Sequence, residues 1–584
     1  MYRHIPTKRS FGWADIFVLA TVALLIYGFV GLAQQWAGAP VSGTEIDLSV
    51  WALPKYSFFS FMRALAAYAL SLIFTLVYGY AAAKSKRAER VMLPLLDILQ
   101  SIPVLGFLPG LVLGLVSVFP NSNIGLEIAC ILMIFTGQAW NMTFSFYSSV
   151  KAVPLDLSDV TRVMRLSWLE RVRHLELPFA AIGLAWNSLM SMAGGWFFLA
   201  VCESITLGSK RFELPGIGSY MALAIDHKDH QAMLYGVLAM CAVILFVDFV
   251  IWRPVMAWVR KFQMEEIPEE VAELPFMTTL LRESWLIRRF RLFVRNRRRR
   301  NEFKASTASQ EPQNVFGHRM KIAVIRERIR RHKDWGLPLL ARVGTPVTVM
   351  FALWGGTRLW ELVRTLTLDD WQSIWIAVGL TFLRVLGAVV FGTLWTVPVG
   401  ILIGLSPRLT RIFQPIVQLA ASFPAPMLYP VIIAVLLNWG VSMNWGAVFL
   451  LALGVQWYIL FNVLAGAMAV TRDLKDSMRL MGTSASTRWL KLYLPSVFPS
   501  LVTGWISATG GAWNASIVAE YIHYGNQTLA ATGIGSMISQ ATAAGDFPLV
   551  AGCLIAMVCT VVGLNQTWWR WLHEQAETRF RFER

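Results

Sequence analysis

The stretch Val470-Thr-Arg-Asp-Leu-Lys-Asp-Ser-Met-Arg-Leu-Met-Gly-Thr-Ser484, followed by Arg488 and by Leu494-Pro495, decides how the chain is built. It lies between two long apolar runs, and it is polar and too short to cross a bilayer. Leu474, Met478, Met481 and Ala485 recur at i, i+4, i+7 and i+11, so they share one helical face, while Asp473, Asp476 and Arg479 project elsewhere. Gly482 stops or bends such a helix. A second copy stands 317 residues earlier: Val153-Pro-Leu-Asp-Leu-Ser-Asp-Val-Thr-Arg-Val-Met-Arg-Leu-Ser167, then Arg171 and Leu177-Pro178. There Asp156, Asp159, Arg162 and Met164 match Asp473, Asp476, Arg479 and Met481. One such loop reads as a surface helix resting on a membrane. Two at matching positions read as helices, near 154–168 and 471–485, that dock by an apolar face onto two equivalent partner subunits.

The repetition extends outward from these loops. With a shift of 321, Phe61-Met62-Arg63 falls on Phe382-Leu383-Arg384, Gly79 on Gly400, and Ser101-Ile102-Pro103 on Ser422-Phe423-Pro424. With a shift of 317, Gly194, Trp196 and Glu203 fall on Gly511, Trp513 and Glu520, and Gly216-Ile-Gly-Ser219 falls on Gly533-Ile-Gly-Ser536.

Composition sets the medium. Of 584 residues, 56% are hydrophobic and 15% charged, with mean hydropathy +0.53. Roughly 25% charged residues is usual for a soluble domain, so a soluble enzyme and a disordered chain are both excluded. Apolar runs long enough to span lie near 13–35, 62–83, 91–118, 127–150, 177–202 and 232–258, and again near 339–361, 374–405, 412–438, 445–470, 495–518 and 547–571. The fold class this predicts is an all-α integral membrane protein of about 12 transmembrane helices, arranged as two parallel six-helix repeats. The expected organisation is a first repeat over 1–258, a basic linker over 259–338 and a second repeat over 339–584. Ala37-Gly38-Ala39 resembles a cleavage site, but the apolar run before it is longer than a signal peptide's, so the first helix is read as retained.

Net charge is +17. With both termini placed in the cytoplasm, 44 of the 52 Lys and Arg residues fall on cytoplasmic segments, as the positive-inside rule requires. The linker carries 19 of these, with Arg295 and Arg297 to Arg300 as its densest patch. A connector held near anionic headgroups accounts for it, and no nucleic-acid partner is called for. The five cysteines have no CxxC spacing, which suggests neither a disulfide framework nor a zinc site. His227 and His230 stand at i and i+3 without evident further ligands, so no metal is expected.

Several polar residues inside or beside the spans are candidate path residues. Glu203 and Glu520 end matched spans and line a mouth, form a gate, or simply face water. Trp196 and Trp513 lie further in, beside Gly194-Gly195 and Gly510-Gly511, where bare backbone amides suit either close helix packing or a transiently held anion. Asn514 is polar at that depth while Phe197 stands in the first repeat. Arg63 and Arg384 are interface anchors or attract anions. Asp97, with Gln418 opposite in the repeat, reads as a helix contact.

The acidic residues, a glycine and Leu-Pro about thirteen residues later resemble the "EAA" loop of permease subunits of ATP-binding-cassette importers. Phe382-Leu-Arg-Val-Leu-Gly, Ser422-Phe-Pro-Ala-Pro, Trp513-Asn-Ala-Ser-Ile-Val-Ala-Glu and Gly533-Ile-Gly-Ser are similar to the nitrate, sulfonate, taurine and bicarbonate branch, over some two thirds of the chain. The first copy departs in having Arg165 where the second has Gly482, and neither copy has the literal Glu-Ala-Ala. The resemblance implies two permeases fused in tandem, without catalytic residues, in a bacterial inner membrane. It also implies two copies of a cytoplasmic ATPase, whose ATP and Mg are bound there and not by this chain, and an extracytoplasmic binding protein. The chain has no GxxxxGK[ST] phosphate loop, Gly208-Ser209-Lys210 being the nearest fragment. The rival reading is a transporter driven by an ion gradient, for which Asp97 is the one buried carboxylate available.

Overall fold

Apolar runs of this length can satisfy their backbone groups in lipid only by coiling on themselves. The computed structural model of the chain is accordingly helical almost throughout. It describes residues 46–120, 122–164, 166–207, 210–262, 354–524 and 527–580, with isolated positions elsewhere. The expected first span, the linker patch and Arg165 lie outside the described residues, as does most of the expected seventh span.

The described part divides into two units. One comprises Met1–Leu25 and Glu273–Leu366. In it, Asp15 accepts hydrogen bonds from the Gly12 N–H and the Ser284 hydroxyl at 3.0 and 2.7 Å, and a helix covers 354–363. The other comprises Ile26–Ala272 and Thr367–Arg584 and holds both repeats.

The first repeat opens with α1 (Val50–Lys84), which passes through a π-turn at Thr75–Gly79. Next come α2 (Lys86–Ser101), α3 (Leu108–Val118) and α4 (Ile124–Lys151). The short α5 (Leu155–Val163) leads into α6 (Trp168–Cys202), the hairpin β1 (Ser204–Leu207) and β2 (Lys210–Glu213), α7 (Ile217–Asp226) and α8 (His230–Val259). The second repeat runs α9 (Leu368–Leu405), α10 (Pro407–Ser422), α11 (Tyr429–Asn438), α12 (Met443–Ala469), α13 (Arg472–Leu480) and α14 (Leu494–Ala519). It closes with the hairpin β3 (Tyr521–Tyr524) and β4 (Gln527–Ala530), α15 (Ile534–Ala544) and α16 (Phe547–Arg579).

Seven of these helices are long and apolar enough to span a membrane, and two bent pairs raise the number to nine among the described residues. The eleventh expected span is α14, a helix of 26 residues whose Ser, Thr, Gly and Asn content leaves it less apolar than the seven. Two expectations are corrected. The runs at 91–118 and 412–438 are not single straight spans: α2 and α3 meet at 81°, and α10 and α11 at 83°. The cause is Ser101-Ile-Pro and Ser422-Phe-Pro, since the proline at 103 or 424 forces its predecessor out of helical geometry and a 3-10 turn follows. The two antiparallel hairpins were also not anticipated.

Within each repeat the fourth helix of the bundle forms the packing axis. In the second repeat α12 lies against both α9 and α14, and in the first α4 lies against α1 and α6. Contact is close because glycine faces the axis: a Cβ on Gly400 would come within 2.7 Å of Val463 Cγ1, and one on Gly404 within 2.6 Å of Ala467 Cβ.

Candidate functional site

Each repeat builds a buried charged knot at the hairpin end of its bundle. In the first, Arg63 on α1 holds Glu127 in a bidentate pair, with Nε–Oε2 and Nη2–Oε1 both 2.7 Å. Its Nη1 donates to Glu203 Oε1 at 2.7 Å and to the Pro215 carbonyl at 2.9 Å. Ser60 also donates to Glu203 Oε1 at 2.7 Å, and the Gly218 N–H donates to Glu203 Oε2 at 2.7 Å. The free N–H groups opening α7 thus meet a carboxylate, as a helix N-terminus favours.

The second repeat uses the same plan with one change. Arg384 Nη1 donates to Glu520 at 2.8 Å, Thr381 donates to Glu520 at 2.8 Å, and the Gly535 N–H donates to it at 2.9 Å. In place of Glu127 stands Asn444, which takes Arg384 Nη2 on its side-chain oxygen at 2.8 Å and Nε on its carbonyl at 3.1 Å. Glu203 and Glu520 are both fully buried, which corrects the reading of a helix-end carboxylate facing water. Each bonds inside its own repeat.

The two repeats meet through their broken spans. The turn after α2 lies against α14 and α16, and α10 lies against α6 and α8. At the first crossing the Val104 N–H donates to Asn514 Oδ1 at 2.6 Å. Asn514, singled out for having no counterpart, therefore joins the repeats. At the second crossing Gln418 Nε2 donates to Asp248 Oδ1 at 3.3 Å, and Asp248 Oδ2 is held by Arg253 at 2.9 Å. Beside this pair lies a cavity of about 20 Å3, lined by Met192, Trp196, Asp248, Trp252, Gln418 and Ser422, with room for about one water. Trp196 thus faces the seam. Trp513 is buried, and its indole N–H has no hydrogen-bond partner among the described residues. Gly194 and Gly510 leave open space where a Cβ would go or touch only the Tyr458 hydroxyl at 3.6 Å, whereas Gly195 and Gly511 are packed against Gln138 and Tyr458.

At the opposite end lie the two short loops that hold α5 and α13. Both form helices, shorter than expected: α5 ends at Val163 and α13 at Leu480. Gly482 has φ +66°, the left-handed conformation that ends a helix, so Ala485 falls in the next one. The predicted apolar face divides. Leu474 and Met478 are partly covered, while Leu480 and Met481 stand 89% and 74% exposed. The equivalent Val163 and Met164 are 82% and 65% exposed. Asp159 pairs with Arg162 at 3.0 Å and Asp476 with Arg479 at 3.8 Å, all four exposed, so they neutralise one another along the helix. Asp156 and Asp473 lie exposed in the first turns, where the helix dipole favours acids.

A family model described as "binding-protein-dependent transport system inner membrane component" matches this chain twice, over residues 75–253 and 396–567. The chain belongs to that family. Each match covers one repeat, from the π-turn of α1 through α8 and from the equivalent of that turn through α16, so this permease is a tandem of two family domains. It is 24% identical over 267 residues to the taurine transport system permease protein TauC of Escherichia coli, covering 41% of this chain and 93% of TauC. To the nitrate import permease protein NrtB of Synechocystis it is 27% identical over 190 residues, 32% of this chain and 61% of NrtB. To the aliphatic sulfonates permease SsuC of Bacillus subtilis it is 24% identical, covering 34% and 72%. These relatives are transport components and not enzymes.

Sequence reasoning missed three residues that organise this permease. Glu127 and Asn444 complete the knots, and Asp248 holds the seam. An acid inside an apolar run signals each of the carboxylates, but the partner lies 64 residues away for Glu127 and 170 for Asp248.

Proposed function

We propose that this permease forms the translocation path of an ATP-driven importer for a small solute, with nitrate, bicarbonate or a sulfonate such as taurine as the candidate class. The path follows the seam between repeats, past Trp196, Asp248, Gln418 and Asn514. The knots centred on Glu203 and Glu520 act as clamps that fix the outer ends of α6 and α14, so that the seam and not the bundle moves. The chain binds no cofactor. ATP and Mg belong to a cytoplasmic ATPase dimer whose two subunits receive α5 and α13, and a binding protein delivers solute to the hairpin end. Both termini and both loops lie in the cytoplasm, by the distribution of Lys and Arg.

The observation that carries this reading is the pair of exposed apolar ends, Val163-Met164 and Leu480-Met481, at equivalent positions in the two repeats. Bare apolar side chains on a polar helix fit a partner's groove. The test uses membrane vesicles supplied with ATP and, in turn, nitrate, taurine and bicarbonate. Asp476→Lys combined with Gly482→Trp is expected to abolish uptake while insertion stays intact, because a left-handed residue becomes a bulky one beside the docking end. Undiminished uptake by this variant overturns the coupling assignment.

A further inference from the structure

The two loops are fastened differently, and this carries a mechanical inference that rests on the coupling role proposed above. In the first repeat the corner where α1 passes to α2 grips both ends of the loop. On the entering side, Glu89 accepts from the Tyr147 hydroxyl at 2.6 Å and from Lys151 Nζ at 2.7 Å, both at the end of α4. On the leaving side, Trp168 Nε1 donates to the Tyr80 hydroxyl at 2.9 Å, with the rings edge to face at 5.9 Å. Glu176, 2% exposed, joins Arg171 at 2.8 Å to Lys84 at 2.5 Å. Charge-assisted bonds of this kind are strong and directional, more so when buried.

Of these partners only Arg171 recurs in the second repeat, as Arg488. Tyr80, Lys84 and Glu89 become Ile401, Leu405 and Thr410 on the corner. Tyr147, Lys151, Trp168 and Glu176 become Leu464, Met468, Ala485 and Tyr493 on the loop ends. Thr410 spends its hydroxyl on the Ile403 carbonyl at 2.7 Å, within its own corner. Arg488 remains at the place of Arg171, but no carboxylate stands where Glu176 would meet it. The α13 loop also leaves its helix through the left-handed Gly482, and its C-cap bonds are local, from Thr483 to Met478.

We infer that the two coupling loops are mechanically unequal: α5 is bracketed to its bundle and moves with it as one body, whereas α13 is hinged and moves with the partner subunit. Glu89 and Glu176 are then positioning residues. They touch neither solute nor nucleotide, and they act by holding the loop at a fixed angle to α1 and α6.

Amide hydrogen exchange on the detergent-purified full chain tests the bracket without any partner, because local opening sets the exchange rate. Amides of Leu155–Val163 are expected to exchange about ten-fold more slowly than those of Arg472–Leu480. Glu89→Gln with Glu176→Gln should erase that difference and leave 472–480 unchanged. Thr410→Glu with Met468→Lys, which copies the Glu89–Lys151 pair into the second repeat at two non-buried positions, should slow exchange over 472–480. Equal protection in the unaltered chain, or no response to either pair of changes, overturns the inference. A functional arm adds ATP-driven nitrate or taurine uptake in proteoliposomes with the co-purifying ATPase. Glu176→Gln should lower solute moved per ATP by about ten-fold while ATP hydrolysis stays within about two-fold, and an unchanged ratio counts against the positioning role. Absence of any ATPase in the preparation would sink the coupling reading and leave the exchange result standing, so the two failures are distinguishable.

Discussion

Glu127 and Asn444 occupy the same place in the two repeats and receive the same two nitrogens of an arginine, one as a carboxylate and one as an amide. The first knot therefore buries one positive and two negative groups, and the second buries one of each. The substitution is not isolated. Asp97 and Asp248 of the first repeat stand where the second has Gln418 and Asn565. At the seam this division places a carboxylate of one repeat against an amide of the other, in the Asp248–Gln418 pair. The arginines differ accordingly: Arg253 is held by Asp248, whereas its equivalent Arg570 pairs with Glu574 at 3.1 Å. In a pair of identical first repeats Asp248 would face a second Asp97, carboxylate against carboxylate, and a fused chain can avoid that.

The knots give an order of stabilities. Arg63→Met leaves two buried carboxylates without their cation and should destabilise the chain by about 3–5 kcal/mol. Arg384→Met strands one carboxylate and should cost less. Glu127→Asn, which copies the second repeat, should cost least, about 1–2 kcal/mol, because Arg63 keeps Glu203. Thermal unfolding in detergent, followed by tryptophan fluorescence, checks the order, and equal shifts for the two arginine variants contradict it.

Asn514→Leu removes the acceptor of the Val104 N–H, one of the bonds that join the repeats. A buried donor left unpaired costs about 1–3 kcal/mol. The unfolding temperature should fall, and solute uptake with it, while Asn514→Asp keeps an acceptor and should retain more of both.

Asp248→Asn should release Arg253 to behave as Arg570 does. Labelling by phenylglyoxal, read by mass spectrometry, should rise at Arg253 and stay constant at Arg570. No change at Arg253 would mean that the ion pair does not hold it.

Backbone packing at the short helices separates two kinds of glycine. A Cβ on Gly535 would come within 2.8 Å of the Ile517 backbone nitrogen, whereas one on Gly510 would meet nothing within 4 Å. Gly535→Ala should destabilise by about 1–3 kcal/mol, and Gly510→Ala by less than about 0.5 kcal/mol. Similar losses for both would contradict the packing described here.

Much of this architecture was legible in the sequence because it rests on local signals. Apolar length marks the spans, and the doubled Asp-x-x-Asp-x-x-Arg loop marks the repeat and the short helices α5 and α13. Gly482 announced the end of α13. The breaks after Ser101 and Ser422 were hidden because Ile-Pro and Phe-Pro sequences are as apolar as the helices they interrupt. Ser204–Leu207 alternates polar and apolar residues before Gly208-Ser209, a strand signal that its short length between two spans concealed. The roles of Glu203 and Glu520 were out of reach for a different reason. Their partners Arg63 and Arg384 precede them by 140 and 136 residues, and only the folded bundle brings them together.

If α5 and α13 present paired apolar ends to an ATPase, as proposed, that ATPase should accompany the detergent-solubilised chain through purification at mild salt, where mass spectrometry identifies it. Two ATPase subunits per chain are expected, reduced to background when Val163, Met164, Leu480 and Met481 are all changed to Asp, with the chain still inserted and folded. An intact, folded chain that carries no ATPase, or that carries the same amount after the four changes, would contradict the proposal.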